Sequence, residues 1–217
     1  MAEFDASYFE ANYGDYAGQN PIRKLEHYHG VIRRRLGAGA FRVLDVGCGL
    51  GLWADHLATV EPDWSVSAMD VDPGVIAFNA ERFPNVAFTA GRAGDGSPDR
   101  RLDVITAMDV LEHVPEINEQ FARLCEWVEP GGLLAFVVPV YDGPLGPVVH
   151  VLDNDPTHIW KWPRNRWLEL SGSHLDEIEW HGLFRLLAPG GYYIHFSSRP
   201  LRSIAPAIMV TGRVRHE

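Results

Sequence analysis

The residues most able to do chemistry fall in three places. The first is Val43-Leu44-Asp45-Val46-Gly47-Cys48-Gly49-Leu50-Gly51, an apolar run that brings a carboxylate to a turn containing three glycines. Glycines remove Cβ atoms, so a ligand can lie against bare backbone at the N-terminus of the helix that follows. A dinucleotide fingerprint reads G-x-G-x-x-G. The order here is G-x-G-x-G, with Asp45 two residues before Gly47. An acidic side chain at such a turn repels a pyrophosphate and suits a ligand with a cationic amino group or sulfonium. The second place is Asp70, 23 residues after Gly47, at the end of the next apolar run. A carboxylate there can accept hydrogen bonds from both hydroxyls of a ribose. The third is Asp103-Val104-Ile105-Thr106-Ala107-Met108-Asp109-Val110-Leu111-Glu112-His113-Val114. Its polar end falls at the carboxyl edge of a strand, where open α/β sheets bind ligands.

Proton transfer near neutral pH calls for histidine. His113, at the end of the third element, is the first candidate for a general base. His158 is the second, beside Asp155, Trp160 and Trp162, whereas His150, His174 and His195 read as structural. Asp109, Glu112 and His113 together offer oxygen and imidazole donors, so a divalent metal is conceivable there. Glu112 and His113 also read simply as helix-start residues, and no metal ligand is assigned. Trp160, Trp162 and Trp167, near Tyr141, suit either the walls of a flat or apolar ligand or a small core within their own segment.

These residues need a framework of alternating strands and helices. The period of Ile22, Leu25, Tyr28, Val31, Ile32 and Leu36 predicts a helix over 21–36. Strands are expected at 41–46, 66–71, 86–90, 102–108 and 133–138, with helices at 50–59, 73–82 and 116–128. Asp72 is a natural N-cap for the second of these helices. The alternation implies parallel strands with helical crossovers. After Pro139 the chain becomes rich in proline and aromatic residues and reads as a long ordered loop or lid. A short helix at 164–170 and strands at 177–184 and 207–214 complete the count, and the aromatic segment with Tyr192, Tyr193, His195 and Phe196 stays unassigned.

The 217 residues suffice for one core and are short for two. A formal net charge of -10 argues against a phosphate-backbone partner. Arg33, Arg34 and Arg35 read as the solvated end of a helix. Cys48 and Cys125, the two cysteines, match neither a disulfide framework nor a metal motif. No apolar run is long enough to span a bilayer and no secretory leader is visible, so a cytoplasmic location is the default expectation.

In order and spacing, the three elements resemble those of the class I S-adenosylmethionine-dependent methyltransferases. The resemblance is strong over residues 40–140 and rests on pattern elsewhere. Leu111-Glu112-His113-Val114 is similar to small-molecule methyltransferases that include the ubiquinone-biosynthesis O-methyltransferases. Asp155-Pro156-Thr157-His158 looks like bacterial enzymes that methylate sugars and natural products. The resemblance implies that Gly47, Cys48 and Gly49 meet the methionine part of the cofactor through their backbone. It places Asp45 near the cofactor's amino group or behind the loop, Asp70 on the ribose, Val71 beside the adenine, and Met108 and Asp109 facing the methionine. The chain departs from the pattern at Gly91-Arg92-Ala93-Gly94-Asp95. If Arg92 stands where relatives often carry an acidic residue for the adenine amino group, that contact falls to backbone or to Asp95. Relatives often fold an N-terminal segment over the cofactor. Here Tyr16 would face the sulfonium-bearing ligand and Arg23 its carboxylate, with aromatic staples holding the first helix as the equal alternative.

The fold so implied is α/β: one domain over 1–217 with a doubly wound, seven-stranded, mostly parallel sheet. It divides into a helical cap (1–39), a cofactor-binding core (40–140), a substrate lid (141–175) and C-terminal strands (176–217). The implied activity is methyl transfer to a small-molecule acceptor, first a hydroxyl oxygen of a natural product or sugar-like metabolite. Nitrogen, carbon or a peptide are the alternatives, as is a cofactor-binding protein without turnover. Neither nucleic acid nor membrane is expected as a partner, and nothing in the sequence sets the oligomeric state.

Overall fold

The computed structural model describes residues 20–153, 155–188, 192–198 and 200–215. The strands are β1 (Arg42–Val46), β2 (Ser65–Asp70), β3 (Ala87–Ala90), β4 (Leu102–Met108), β5 (Val128–Pro139), β6 (Leu175–Ala188), β7 (Tyr192–Ser198) and β8 (Ala207–Val214). The helices are α1 (Ile22–Leu36), α2 (Leu52–Val60), α3 (Pro73–Arg82), α4 (Ile117–Trp127), α5 (Gly146–Leu152) and α6 (Arg164–His174).

All eight strands join one sheet in the order β3-β2-β1-β4-β5-β8-β6-β7. The first five run parallel, and β8 inserts antiparallel between β5 and β6. From β1 the chain winds outward through β2 to β3, then returns to place β4 on the other side of β1. That reversal opens a crevice at the carboxyl ends of β1 and β4. The strands beside it are apolar along their length because both faces are covered. Successive β5 residues alternate between the two packed layers: Leu133, Ala135 and Val137 meet the core under α1 and α2, while Leu134, Phe136 and Val138 meet the core under α4 and α6.

The predicted helices and parallel strands fall within a few residues of those observed. Asp72 caps α3 by accepting from the N–H groups of Gly74 and Val75. The sheet differs from the sequence expectation at its far edge, where it has eight strands instead of seven. The unassigned aromatic segment is β7, paired antiparallel with β6 from Gly182↔Ser198 to Ala188↔Tyr192. The rings of Phe184 and Phe196 stack across this pair at 4.7 Å. Pro189-Gly190-Gly191 separates two β-prone runs in the sequence, the one signal that could have revealed a hairpin. Two of the three arginines that end α1 form ion pairs, Arg33 with Glu61 and Arg35 with Glu179, while Arg34 is exposed. Among the described residues no helix is long and apolar enough to cross a membrane.

Candidate active site

A cleft of about 1400 Å³ lies over the carboxyl ends of β1, β2 and β4. Single ligand pockets run to roughly 300–1000 Å³, so this cleft is larger than one ligand of ordinary size requires. At one end the glycine turn is tied to β2. The N–H groups of Gly47 and Cys48 both donate to the Met69 carbonyl at 2.8 and 3.0 Å. Gly47 has φ +69°, and a Cβ there would lie 2.5 Å from a methyl of Val110. Only glycine lets β1 turn this close to the end of β4. Gly49 N–H donates to one oxygen of Asp70 at 2.9 Å and Asp72 N–H to the other at 3.2 Å. Each carboxylate oxygen has two lone pairs, so Asp70 keeps acceptor capacity for a vicinal diol. Burial nonetheless pushes its carboxyl upward.

Asp45 sits beneath the turn, where the β1–β4 register sets it opposite Thr106. Thr106 Oγ1 donates to Asp45 at 2.8 Å and accepts from Trp53 Nε1 at 3.1 Å. Burial lifts the Asp45 carboxyl to about 7 against that hydrogen bond. Cys48 lines the same end, and burial drives its thiol far above the usual range.

The middle of the cleft carries a charged trio. Asp109, held at φ +59°, is paired with Arg185 of β6 and lies 3.8 Å from Lys24 of α1. Burial works to raise the Asp109 carboxyl, but the two cations outweigh it and hold it below its usual range. Burial lowers Lys24 to about 8. Lys24 and Arg185 bring two cationic groups to this point of the cleft, a chemistry that suits a ligand carboxylate.

At the far end, His113 and His158 face each other with ring centroids 4.6 Å apart. Thr157 Oγ1 lies 2.5 Å from Asp155 Oδ1 and 2.8 Å from His113 Nδ1. Since the hydroxyl proton goes to the carboxylate, His113 donates through Nδ1 and its Nε2 bears the lone pair. Burial, reinforced by His158, depresses the His113 pKa to about 4, so this ring is neutral at physiological pH. His158 Nδ1 meets Asp153 at 2.9 Å, and Asp153 also accepts from Tyr141 (2.6 Å) and Lys161 (2.8 Å). Glu112 is fully buried between these groups, and its carboxyl is pushed well above the usual range by burial and by Asp109.

The cleft therefore gathers Asp45, Gly47, Cys48, Gly49, Asp70, Val71, Arg92, Met108, Asp109, His113 and His158. Val71 and Arg92 stand exposed at its rim, with Asp95 nearby. Arg23 does not join them. It is exposed on α1 while Lys24, the next residue, turns into the cleft, because successive helical residues point about 100° apart. Tyr16 lies outside the described residues. Trp160, Trp162 and Trp167 line no part of the cleft. Their rings pack on one another at 5.1 and 4.8 Å and join the core beneath α6, so the small-core reading of these residues holds. Sequence reasoning missed Lys24 and Arg185. Nothing local marks either one, and only the return of β6 to the sheet brings Arg185 to Asp109.

A methyltransferase-domain family model matches residues 16–185. The chain belongs to the class I S-adenosylmethionine-dependent methyltransferases. Among curated proteins, this domain is 32% identical over 141 residues to a trans-aconitate 2-methyltransferase of Methylobacterium nodulans, covering 64% of this chain and 51% of that one. A trans-aconitate 2-methyltransferase of Mycobacterium tuberculosis is 33% identical over 119 residues, covering 55% and 42%. The chain thus spans about half the length, or less, of these relatives. Among solved structures, the YcgJ protein of Bacillus subtilis superposes with a TM-score of 0.67 at 18% identity, covering 88% of this chain and all of that one. The N-methyltransferase NodS of Bradyrhizobium japonicum in complex with S-adenosylhomocysteine superposes with a TM-score of 0.57 at 17% identity, covering 89% and 88%. At these identities the structures speak for the fold.

Proposed function

We propose that this methyltransferase domain binds S-adenosylmethionine and methylates a hydroxyl oxygen of a small molecule, a natural product or sugar-like metabolite. The cofactor would supply a methyl group already activated by its sulfonium. Asp70 would hold the ribose hydroxyls, and Lys24 with Arg185 the amino-acid carboxylate. Asp45, behind the glycine turn, would favour the neighbouring amino group. The bare backbone of Gly47 and Gly49 admits the ligand between these anchors. Asp95 or backbone would meet the adenine beside Val71 and Arg92.

The observation that carries the acceptor reading is the His113–His158 pair, which lines the same cleft as these anchors. His113 is neutral and its tautomer is set by Thr157 and Asp155, so Nε2 is ready to take a proton from a hydroxyl. His158, oriented by Asp153, is the second base. Asp153, balanced by Lys161, and Asp155 stand behind the pair, and Glu112 lines the cleft beside it. A neutral imidazole base also serves an amine acceptor, which makes nitrogen the second reading.

Calorimetric titration with S-adenosylmethionine and S-adenosylhomocysteine tests the first half of the proposal, with micromolar binding expected. A panel of phenols, sugars, amines and trans-aconitate, followed by release of S-adenosylhomocysteine, tests the second. Turnover with hydroxylated acceptors is expected. Turnover confined to trans-aconitate or to amines overturns the oxygen assignment, and absence of binding to either cofactor form overturns the whole reading.

A further inference from the structure

Gln120, in the first turn of α4, lines the cleft, yet its Oε1 is buried and meets no donor among the described residues. A buried amide oxygen left unpaired is costly, so this one is poised for a donor that a ligand brings. The amide rests against the turn that follows β3. Asp95 N–H donates to the Arg92 carbonyl at 3.1 Å, closing that turn over residues 92–95. Gly94 holds φ +80° in it, and a Cβ there would overlap Gln120 Oε1. The amide therefore reaches this turn only because residue 94 carries no side chain.

The turn is pinned beside Asp70, since Gly91 N–H donates to the Asp70 carbonyl at 2.8 Å. The strand order puts the ends of β2 and β3 on one side of β1, and Asp109 at the end of β4 on the other. With a ribose on Asp70 and an amino-acid carboxylate towards Lys24 and Arg185, the base would extend towards Val71, Arg92, Ala93, Asp95 and Gln120, which line that end.

We propose that the Gln120 amide recognises the amino group of the cofactor's adenine, so that this cleft selects a 6-aminopurine nucleoside. The inference rests on the cofactor reading above. An amide carries an acceptor and a donor side by side, which matches the amino group of adenine and the ring nitrogen next to it. The neighbouring side chains suit that amino group less well. Arg92 has donors only, and Ala93 has no polar side-chain atom. Asp95 is exposed, where water competes for its carboxylate. Burial gives Gln120 the advantage, because a ligand lacking the donor leaves a buried acceptor unpaired.

The test is calorimetric titration with S-adenosylhomocysteine and with its analogue in which purine, lacking the amino group, replaces adenine. The parent should prefer S-adenosylhomocysteine by about 10- to 100-fold. Gln120→Leu should bind the two ligands within about threefold of each other, and the purine analogue within about threefold of the parent, which also shows that it folds. Gln120→Glu restores an acceptor and should keep the preference. A preference that survives in Gln120→Leu overturns the proposal, and its loss in Asp95→Ala would then move the contact to Asp95. A parent that binds both ligands equally well overturns it too, while upholding the cofactor reading. A parent that binds neither defeats the cofactor reading itself, and this inference with it.

Discussion

Replacing Asp70 with alanine should separate the tie between two turns from the ribose contact proposed for the same carboxylate. Its oxygens accept from Gly49 N–H at 2.9 Å and from Asp72 N–H at 3.2 Å, tying the glycine turn to the start of α3. Hydrogen bonds to a charged group contribute about 1.5–3 kcal/mol each. Asp72 N–H is only partly buried and can turn to water, and the burial that raises the Asp70 carboxyl offsets part of the gain. The net stability loss should therefore be about 1–3 kcal/mol, carried mostly by the buried Gly49 N–H. Cofactor binding loses two further charge-assisted bonds from the ribose, about 2–4 kcal/mol, or roughly 30- to 1000-fold in Kd. Asp70→Asn keeps one carbonyl oxygen and should fall between the parent and the alanine variant. Calorimetry with S-adenosylhomocysteine gives the affinity, and urea unfolding of the same samples gives the stability. If Asp70→Ala binds within about threefold of the parent while its unfolding midpoint shifts, the residue only ties two turns together, and the ribose assignment fails.

Gly47→Ala combines a left-handed φ with a methyl driven into Val110, and urea unfolding should show a loss of about 2–5 kcal/mol; a change under about 0.5 kcal/mol would mean the turn relaxes freely. Burial holds the folded Asp45 at about 7, above an unfolded value of about 3.9, so the native state binds more protons between those limits. Its contribution to stability, on the order of 3–4 kcal/mol, is full below about pH 4 and is lost as the pH rises through 7. Asp45→Asn should flatten the fall in stability over this window, and an unchanged slope in denaturation midpoints measured from pH 4 to 8 would place the raised pKa elsewhere. His113→Ala should leave S-adenosylhomocysteine affinity within about threefold and lower kcat by roughly 10²- to 10⁴-fold; parent-like turnover would remove His113 from the chemistry.

The sequence by itself determined one end of the cleft, the end proposed for the cofactor. The run from Val43 to Gly51 and the carboxylate of Asp70 form a local device: an apolar strand, a turn only glycine can make, and a polar residue at the next strand's end. Each part is specified by its neighbours along the chain, so it can be read along the chain. The parallel strands were legible for the same reason, since strands covered on both faces leave uninterrupted apolar runs. The chain could not say that Lys24 and not its neighbour Arg23 turns inward, because that depends on how α1 is rotated against the sheet. Nor could it bring Arg185 to Asp109, 76 residues apart, or count β7, whose only cue is a Pro-Gly-Gly between two aromatic runs. His113 and His158 were legible as residue types. Their tautomers, their anchors in Asp155 and Asp153, and the buried Glu112 between them were not. Those depend on a 45-residue excursion, from His113 to His158, closing back onto the end of β4, and contacts between residues so distant in sequence exist only once the sheet and its lid have packed.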